Sequence, residues 1–208
     1  IQTKIVVYDH NADRPDYPIT VLSDPKANPY IDGSAFHLYG GQIEALSEVH
    51  RTFPDKHLYF TEQWVGSPGN LEGDIAWHVK NLIIGAPRNW AKTVLEWNLS
   101  SNPDLTPHTD RGGCDRCLGA ITIDGNEVSR NPAYYVIAHA SKWVDPGSTR
   151  IGSTAPKNLP NVAFTRPDGK KVLIVHNDSA KEIRFEIKEN STSFPASLPA
   201  GATGTWAW

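Results

Sequence analysis

The segment Leu58–Trp64 joins a strand-forming apolar run to a carboxylate, Glu62, which is followed by a polar residue and an indole. A lone Glu at the end of a buried strand is costly unless its carboxylate is hydrogen-bonded or used. In barrels of alternating strands and helices, catalytic side chains come from the C-terminal ends of the strands. The segment alone supports two interpretations equally: a structural carboxylate that accepts hydrogen bonds, and a catalytic one.

The same pattern, an apolar run that ends in polar or aromatic residues, occurs at three other places. These are Lys4–Tyr8 before Asp9-His10-Asn11, Ile31–Phe36 before His37-Leu38-Tyr39, and Thr93–Leu95 before Glu96-Trp97-Asn98. Strand ends in one barrel meet at the same face. The recurrence therefore favours a site built from several strand ends.

Amphipathic segments separate these runs. Ile43, Leu46, Val49, His50 and Phe53 fall on one helical face, and Pro54 stops that helix. A second helix is marked by Ile75–Ile83 and is predicted to end at Gly85. A third, less regular segment spans Ile19–Asn28 and is interrupted by Pro25. Strands that alternate with helices predict parallel βαβ units and an α/β class.

The pattern changes to β at about residue 145. The runs Val162–Thr165 and Lys171–His176 flank a Pro-Asp-Gly turn, Glu182–Ile187 alternates charged and apolar residues, and Thr203–Trp206 would close the sheet. We therefore expect two domains, a βα region over residues 1–144 and an antiparallel β module over residues 145–208. The first would include an irregular loop over 99–118 and a helix over Pro132–Lys142.

Composition bounds the function. The 208 residues carry a net charge of −3, without a basic patch interleaved with aromatics, so we expect no nucleic-acid partner. No apolar run reaches the length of a membrane span. The sequence has no Met and enters a predicted core strand after three residues, so we expect that something preceded Ile1 in the gene product.

Seven Trp and seven Tyr are many for this length. Aromatic rings on strand-end loops can provide flat surfaces for sugar rings. We assign Trp64 and Trp97 to such a surface, because they lie beside strand-end carboxylates. We expect Trp77, Trp90 and Trp143 in the core.

Taken together, the motifs resemble glycoside hydrolase family 30, the glucosylceramidase-like group, over nearly the whole chain. The motifs that carry the resemblance are, in chain order, Ala35-Phe36-His37-Leu38-Tyr39, Phe60-Thr61-Glu62-Gln63-Trp64-Val65-Gly66-Ser67, Glu96-Trp97-Asn98-Leu99, Asn131-Pro132-Ala133-Tyr134-Tyr135 and Ala138-His139-Ala140-Ser141-Lys142. The resemblance implies half of a (β/α)₈ barrel, strands five to eight, followed by an antiparallel β-sandwich. It also implies hydrolysis of β-glycosides with retention of configuration.

The resemblance assigns roles to individual residues. Glu62 is implied as the nucleophile on strand seven, and Tyr39 as a tyrosine that hydrogen-bonds it. The implied sugar-subsite residues are Asp9, His37, Trp64, Trp97 and Asn98. The implied partner is a β-glycoside, either a β-glucoside or a related sugar, and no cofactor is implied.

One motif of the family is missing. Its general acid/base follows Asn in an Asn-Glu-Pro motif on strand four, whereas the Asn-Glu pair here, Asn126-Glu127, precedes Val128. A retaining glycosidase needs two carboxyl groups about 5–5.5 Å apart. Two hypotheses follow: part of a retaining β-glycosidase, or a catalytically inactive carbohydrate-binding fragment.

Four βα units leave two unpaired sheet edges, which drive association. We therefore predict a homo-oligomer, most simply a two-fold dimer of half-barrels, in which Glu96 of the partner would be a surrogate acid. The alternative is an N-terminal half-barrel that is absent from this sequence.

Cys114-Asp115-Arg116-Cys117 could be a zinc half-site, a redox motif or a disulfide. Its place in a loop favours a disulfide between Cys114 and Cys117, and bacterial members of the family resemble it there. Asp9-His10-Asn11 could be read as metal ligands, but adjacent strand residues point to opposite faces. We predict no metal site, and a secreted or periplasmic location.

Overall fold

The computed structural model describes residues 3–208, so the first two residues of the predicted βα region lie outside it. The strands are β1 (Ile5–Ala12), β2 (Ile31–Gly41), β3 (His57–Glu62), β4 (Val65–Gly66), β5 (Ala91–Val94), β6 (Ser100–Ser101), β7 (Cys117–Leu118), β8 (Ile121–Asp124), β9 (Glu127–Arg130), β10 (Thr149–Ile151), β11 (Asn161–Thr165), β12 (Lys171–His176), β13 (Ile183–Glu189), β14 (Thr192–Leu198) and β15 (Thr203–Ala207). The helices are α1 (Asp16–Ser23), α2 (Ala45–Thr52), α3 (Leu71–His78), α4 (Ala86–Arg88) and α5 (Pro132–Ser141).

The chain forms two compact units. One contains the residues up to Gly69 together with Gly85–Tyr134, and the other contains Asn70–Ile84 together with Tyr135–Trp208. Both units are discontinuous in sequence, whereas the predicted boundary at 144/145 divides the chain at a single point. The predicted boundary stays a prediction. No helix among residues 3–208 is both long and apolar enough to cross a membrane.

The first unit is built on a parallel sheet in the order β1-β2-β3-β5. The four strands begin within two residues of the starts that the sequence pattern predicts, but β1 continues to Ala12 and β2 to Gly41, beyond the predicted strand ends. On β3, Leu58 and Phe60 are fully buried, while Tyr59 and Thr61 are only half-buried. Leu46 and Val49 of α2 are also fully buried. The sheet therefore has one face covered by helices and one less covered face.

Prolines set the helix ends in this unit. α2 stops at Thr52, as predicted, and Phe53 leaves the helical conformation, with φ −133° and ψ 74°, because it precedes Pro54. α1 is shorter and earlier than the predicted helix over Ile19–Asn28. It ends at Ser23, because Asp24 precedes Pro25 and takes an extended ψ of 115°.

The prediction that the second helix ends at Gly85 is wrong. α3 passes into a π-helical segment, Val79–Gly85, and then into α4. Gly85 has helical dihedrals, and the Pro at 87 falls in the first turn of α4, where its missing N–H costs nothing. Glycine permits a helix end without requiring one.

The second unit contains an antiparallel sheet, β10-β11-β12-β15, and the hairpin β13–β14. Leu159, Val175 and Leu198 form their common core, and Phe185 meets Trp206 edge-on at 5.5 Å. This is the predicted β-sandwich. β14 was missed because Pro195 argues against a strand, yet Pro is tolerated here on a strand with one partner.

Two of the three Trp residues assigned to the core are exposed. Trp77 is 39% exposed and Trp90 is 47% exposed, with its ring stacked on His50 at 3.9 Å. Trp143 is half-buried under the ammonium of Lys142. The assignment of Trp77 and Trp90 to the core was therefore wrong.

A polar network ties the strands together at the N-terminal end of the parallel sheet. The Asp32 carboxylate accepts hydrogen bonds from Lys4 Nζ at 2.8 Å, from His57 Nδ1 at 2.9 Å and from the Tyr59 hydroxyl. Lys92 Nζ lies 3.2 Å from His57 Nε2. The hydrogen bonds from Lys4 and then Tyr59 hold the pKa of Asp32 well below its usual range. The pKa of Tyr59 rises to about 12, through burial and then Asp32.

We predict that Asp32→Asn destabilises the fold by about 1–3 kcal/mol at pH 7, which is several degrees of melting temperature for a chain of this size. Because the pKa of Asp32 is lower in the folded state, its contribution is present above about pH 4 and is lost as the pH falls further. Melting curves from pH 7 to pH 3 should show the gap between the two proteins begin to narrow below about pH 4. Asp124→Asn, at an exposed position of the same unit, is the control. A constant gap down to pH 3 would contradict this account.

Candidate active site

Glu62 ends β3, and its carboxylate meets a phenol from the neighbouring strand. The Tyr39 hydroxyl donates a hydrogen bond to Glu62 Oε1 at 3.0 Å. Partial burial, and then the charge of Glu62 and its hydrogen bond, raise the pKa of Tyr39 far above its ordinary value, with a smaller effect from Glu96. The phenol therefore stays protonated at any physiological pH and keeps donating to the carboxylate.

A second polar group is centred on Asp9, in the C-terminal half of β1. Asp9 Oδ1 accepts a hydrogen bond from Thr61 Oγ1 at 2.7 Å and lies 3.2 Å from His37 Nε2. His37 is buried, whereas the Asp9 side chain is 65% exposed. Because both contacts fall on Oδ1 and most of the side chain is exposed, the other oxygen of Asp9 can accept a hydrogen bond from a ligand.

The two predicted sugar-stacking indoles lie on adjacent chain segments. Trp64 and Trp97 form a parallel β-bridge, and the Trp97 N–H donates to the Gln63 carbonyl at 2.7 Å. Trp97 is 47% exposed, and its peptide bond to Asn98 is cis. A Cβ at Gly66 would lie 3.0 Å from the Trp64 ring, so glycine at this position leaves room for the ring to pack against the backbone of residue 66.

Two buried amide oxygens beside these indoles have no hydrogen-bond partner among residues 3–208. They are Asn98 Oδ1 and Gln63 Oε1. Buried polar atoms are nearly always paired, so an orphan calls for a specific explanation. Sugar hydroxyls are donors of the required kind.

Cys114 and Cys117 form a disulfide in the loop that follows this segment. β7, which begins at Cys117, pairs with β4, and the Ser67 N–H donates to the Arg116 carbonyl at 2.9 Å. The disulfide loop is thus attached to the chain directly after Trp64. Within the described part of the chain, no group of three His, Cys, Asp or Glu side chains could hold a metal ion.

The structure brings the predicted residues together in one unit, at the C-terminal ends of β1, β2 and β3 and just beyond β5. Glu96 is half-buried and near enough to act on the titration of Tyr39. The sequence argument missed Thr61 and Gln63 as site residues. Thr61 and Gln63 were considered only as parts of a motif. The sequence of a strand does not show which of the polar residues beside a carboxylate contacts a neighbouring strand.

Comparison with known proteins identifies the family. The TIM-barrel domain of glycosyl hydrolase family 30 matches residues 2–144, and the β-sandwich domain of that family matches residues 147–206. The chain belongs to glycosyl hydrolase family 30. The predicted fold class, half of a (β/α)₈ barrel followed by a β-sandwich, is confirmed for this family 30 chain.

Among its relatives are an endo-1,6-β-D-glucanase of Aspergillus fumigatus, 31% identical over 99% of this chain and 43% of the relative, and the mouse lysosomal acid glucosylceramidase, 29% identical over 93% and 40%. An endo-β1,6-glucanase structure matches with a TM-score of 0.88 and 30% identity, and SrfJ from Salmonella typhimurium matches with 0.90 and 28%. Both matches cover all of this chain and 49% and 47% of those structures. The family 30 chain thus spans less than half the length of these relatives.

We predict that Trp97→Ala weakens binding of a β-glucan oligosaccharide about tenfold or more, because a stacked ring contributes about 0.5–1.5 kcal/mol in addition to the apolar area that it buries. Since Trp97 is half-exposed, the melting temperature of the Trp97→Ala protein should differ from that of the unmodified chain by no more than a degree or two. Titration calorimetry and a melting curve on the same sample separate the two effects. Trp90→Ala, at another exposed indole, is the matched control. Parallel loss of stability and binding would make Trp97 a core residue.

Proposed function

We propose that this chain carries the nucleophile of a retaining β-glycosidase that acts on β-glucosides. The observation that carries the proposal is the hydrogen bond from Tyr39 to Glu62 at the C-terminal ends of two parallel strands of a family 30 barrel. That is the end of a barrel from which catalytic groups act.

In the proposed reaction, a carboxylate oxygen of Glu62 attacks the anomeric carbon as the aglycone oxygen leaves. A general acid protonates that oxygen, and a water molecule activated by the same group then hydrolyses the glycosyl–Glu62 ester. The Tyr39 hydroxyl holds Oε1, so the geometry favours attack by Oε2. The tyrosine fixes the direction of the carboxylate before the sugar arrives.

The substrate class follows from the relatives and from the side chains. The relatives are named for 1,6-β-glucan and glucosylceramide, which are both β-glucosides. Asp9 offers an exposed acceptor for a sugar hydroxyl, and Trp97 offers an exposed ring face. The unpaired oxygens of Asn98 and Gln63 are closed off from solvent, so a sugar hydroxyl would reach them only after these side chains turn. Together these features support a β-glucosyl unit as the ligand.

The general acid must come from beyond the motifs of this sequence, which contains no Asn-Glu-Pro. We propose that a second half-barrel supplies it, in the simplest case a second copy of this chain related by a two-fold axis. β1 and β5 are the outer strands of the parallel sheet. Ile5 and Val6 on β1 and Leu95 and Leu99 beyond β5 are 39–77% exposed, which supports association along these edges.

The second candidate function is carbohydrate binding without catalysis. The missing acid motif favours it, because the exposed Asp9 and Trp97 would still bind a sugar. In either case we propose an exported protein, which the disulfide between Cys114 and Cys117 supports.

Replacement of the proposed nucleophile tests the reaction. We predict that Glu62→Gln abolishes covalent labelling by a 2-deoxy-2-fluoro β-glucoside with a good leaving group, because an amide cannot form the glycosyl ester. Intact mass spectrometry measures the added sugar. Glu127→Gln, at an exposed carboxylate on β9, should label like the unmodified chain. Undiminished labelling of Glu62→Gln would exclude this role.

Light scattering at low micromolar concentration tests the assembly, and we predict a dimer. If Glu96 of the partner is the acid, Glu96→Gln should lower turnover of an alkyl β-glucoside far more than that of an aryl β-glucoside, whose leaving group needs little protonation. A soluble, well-folded monomer would defeat the dimer. A dimer in which the nearest carboxylate of the partner lies far beyond about 5–6 Å from Glu62 would defeat the surrogate acid.

A further inference from the structure

The pairing of β1 with β2 changes register beside the site. Consecutive residues on β1, Asn11 and Ala12, pair with His37 and Gly41 on β2. Three residues of β2, Leu38 to Gly40, are therefore left over. They form an excursion, defined here as residues 38–40, and Tyr39 is its middle residue.

An excursion from a parallel ladder leaves backbone groups without ladder partners. Here the side chain of Asn11 supplies one, because its Oδ1 accepts the Tyr39 N–H at 3.2 Å. The return to the ladder is equally constrained. Gly41 has a φ of +82°, and a Cβ on it would lie 2.0 Å from the Ala12 carbonyl oxygen, so only glycine fits. β1 therefore holds the excursion at its centre and at its end.

The other end of Tyr39 makes the contact with Glu62 described above. One tyrosine thus carries two hydrogen bonds, one from its backbone to Asn11 and one from its hydroxyl to the proposed nucleophile. We propose that Asn11 is a positioning residue, whose amide oxygen fixes the backbone of Tyr39 so that the phenol reaches Glu62. The catalytic meaning of this role depends on the proposed function, but the positioning itself does not.

The chemistry of the amide suits this position. The negative charges of Glu62 and Glu96 both raise the pKa of the Tyr39 phenol. An amide oxygen accepts the Tyr39 N–H without adding a third charge, whereas the carboxylate of an Asp would accept the same bond and add one. The two effects can therefore be separated by substitution.

The first measurement follows the Tyr39 phenol directly. NMR of the chain labelled with carbon-13 at tyrosine Cζ reports each phenol, and Tyr39→Phe assigns its signal. In Asn11→Ala we expect the Cζ signal of Tyr39 to shift toward that of a free phenol, because the phenol leaves Glu62. In Asn11→Asp the signal should stay in place, because the acceptor of the Tyr39 N–H is kept. Asn28→Ala, which removes a hydrogen bond to the Leu22 carbonyl in the same unit, should leave it unchanged. An unchanged Tyr39 signal in Asn11→Ala would overturn the proposal.

The second measurement is the rate at which a 2-deoxy-2-fluoro β-glucoside with a good leaving group, which needs no general acid, labels Glu62. We expect Asn11→Ala to slow labelling about tenfold, and to cause no further loss when combined with Tyr39→Phe, since both remove the same contact. Additive losses would contradict a role through Tyr39. If the unmodified chain does not label at all, the proposed function fails, while the Cζ signal of Tyr39 still decides the role of Asn11. If Asn11→Ala does not fold, Asn11→Gln misplaces the same amide by one methylene and gives the same comparison.

Discussion

The common direction of four paired strands is the constraint on which the site depends. In a parallel sheet all strand ends of one kind meet at one edge, so side chains far apart in sequence are gathered without any further device. The register makes this concrete. Asn11 pairs with His37, and His37 pairs with Glu62, so three strands place these residues in one row. A shift of one residue in the pairing of any of these strands would turn its side chains to the other face of the sheet, so the three residues would no longer lie side by side.

The site lies where this regular pairing stops. Register shifts occur in β1–β2, in β2–β3 at the step from Phe36 to His37, and in β3–β5. Each shift frees backbone groups that side chains or the next segment must satisfy. The hydroxyl of Thr61, the amide of Asn11 and the bridge between Trp64 and Trp97 all do so. The irregularity thus turns side chains of neighbouring strands toward one another.

The sequence alone predicts the sheet well and these contacts poorly. Short apolar runs such as Leu58–Phe60 are visible because burial of one sheet face selects their residues. Helix ends set by proline, as at Pro54, are visible because the steric clash is local. Register shifts and the contact of Asn11 with Tyr39 join residues 28 positions apart and have no local signature. The predictions that a helix ends at Gly85 and that Trp90 lies in the core were wrong for a related reason. A residue type indicates which conformations or environments are permitted at a position, and it does not show which neighbours surround that position.

The same four strands carry two polar networks at opposite ends. At the N-terminal end of the sheet, the Asp32 carboxylate is bound by Lys4, His57 and Tyr59. At the C-terminal end lie the contact of Tyr39 with Glu62 and the contact of His37 with Asp9. The strands between them are apolar on the covered face. Substitutions at one end therefore leave the other end in place. For a lineage of such proteins, robustness to heat and acid at one end of the sheet and the chemistry of the carboxylates at the other become separate traits, which selection can change one at a time.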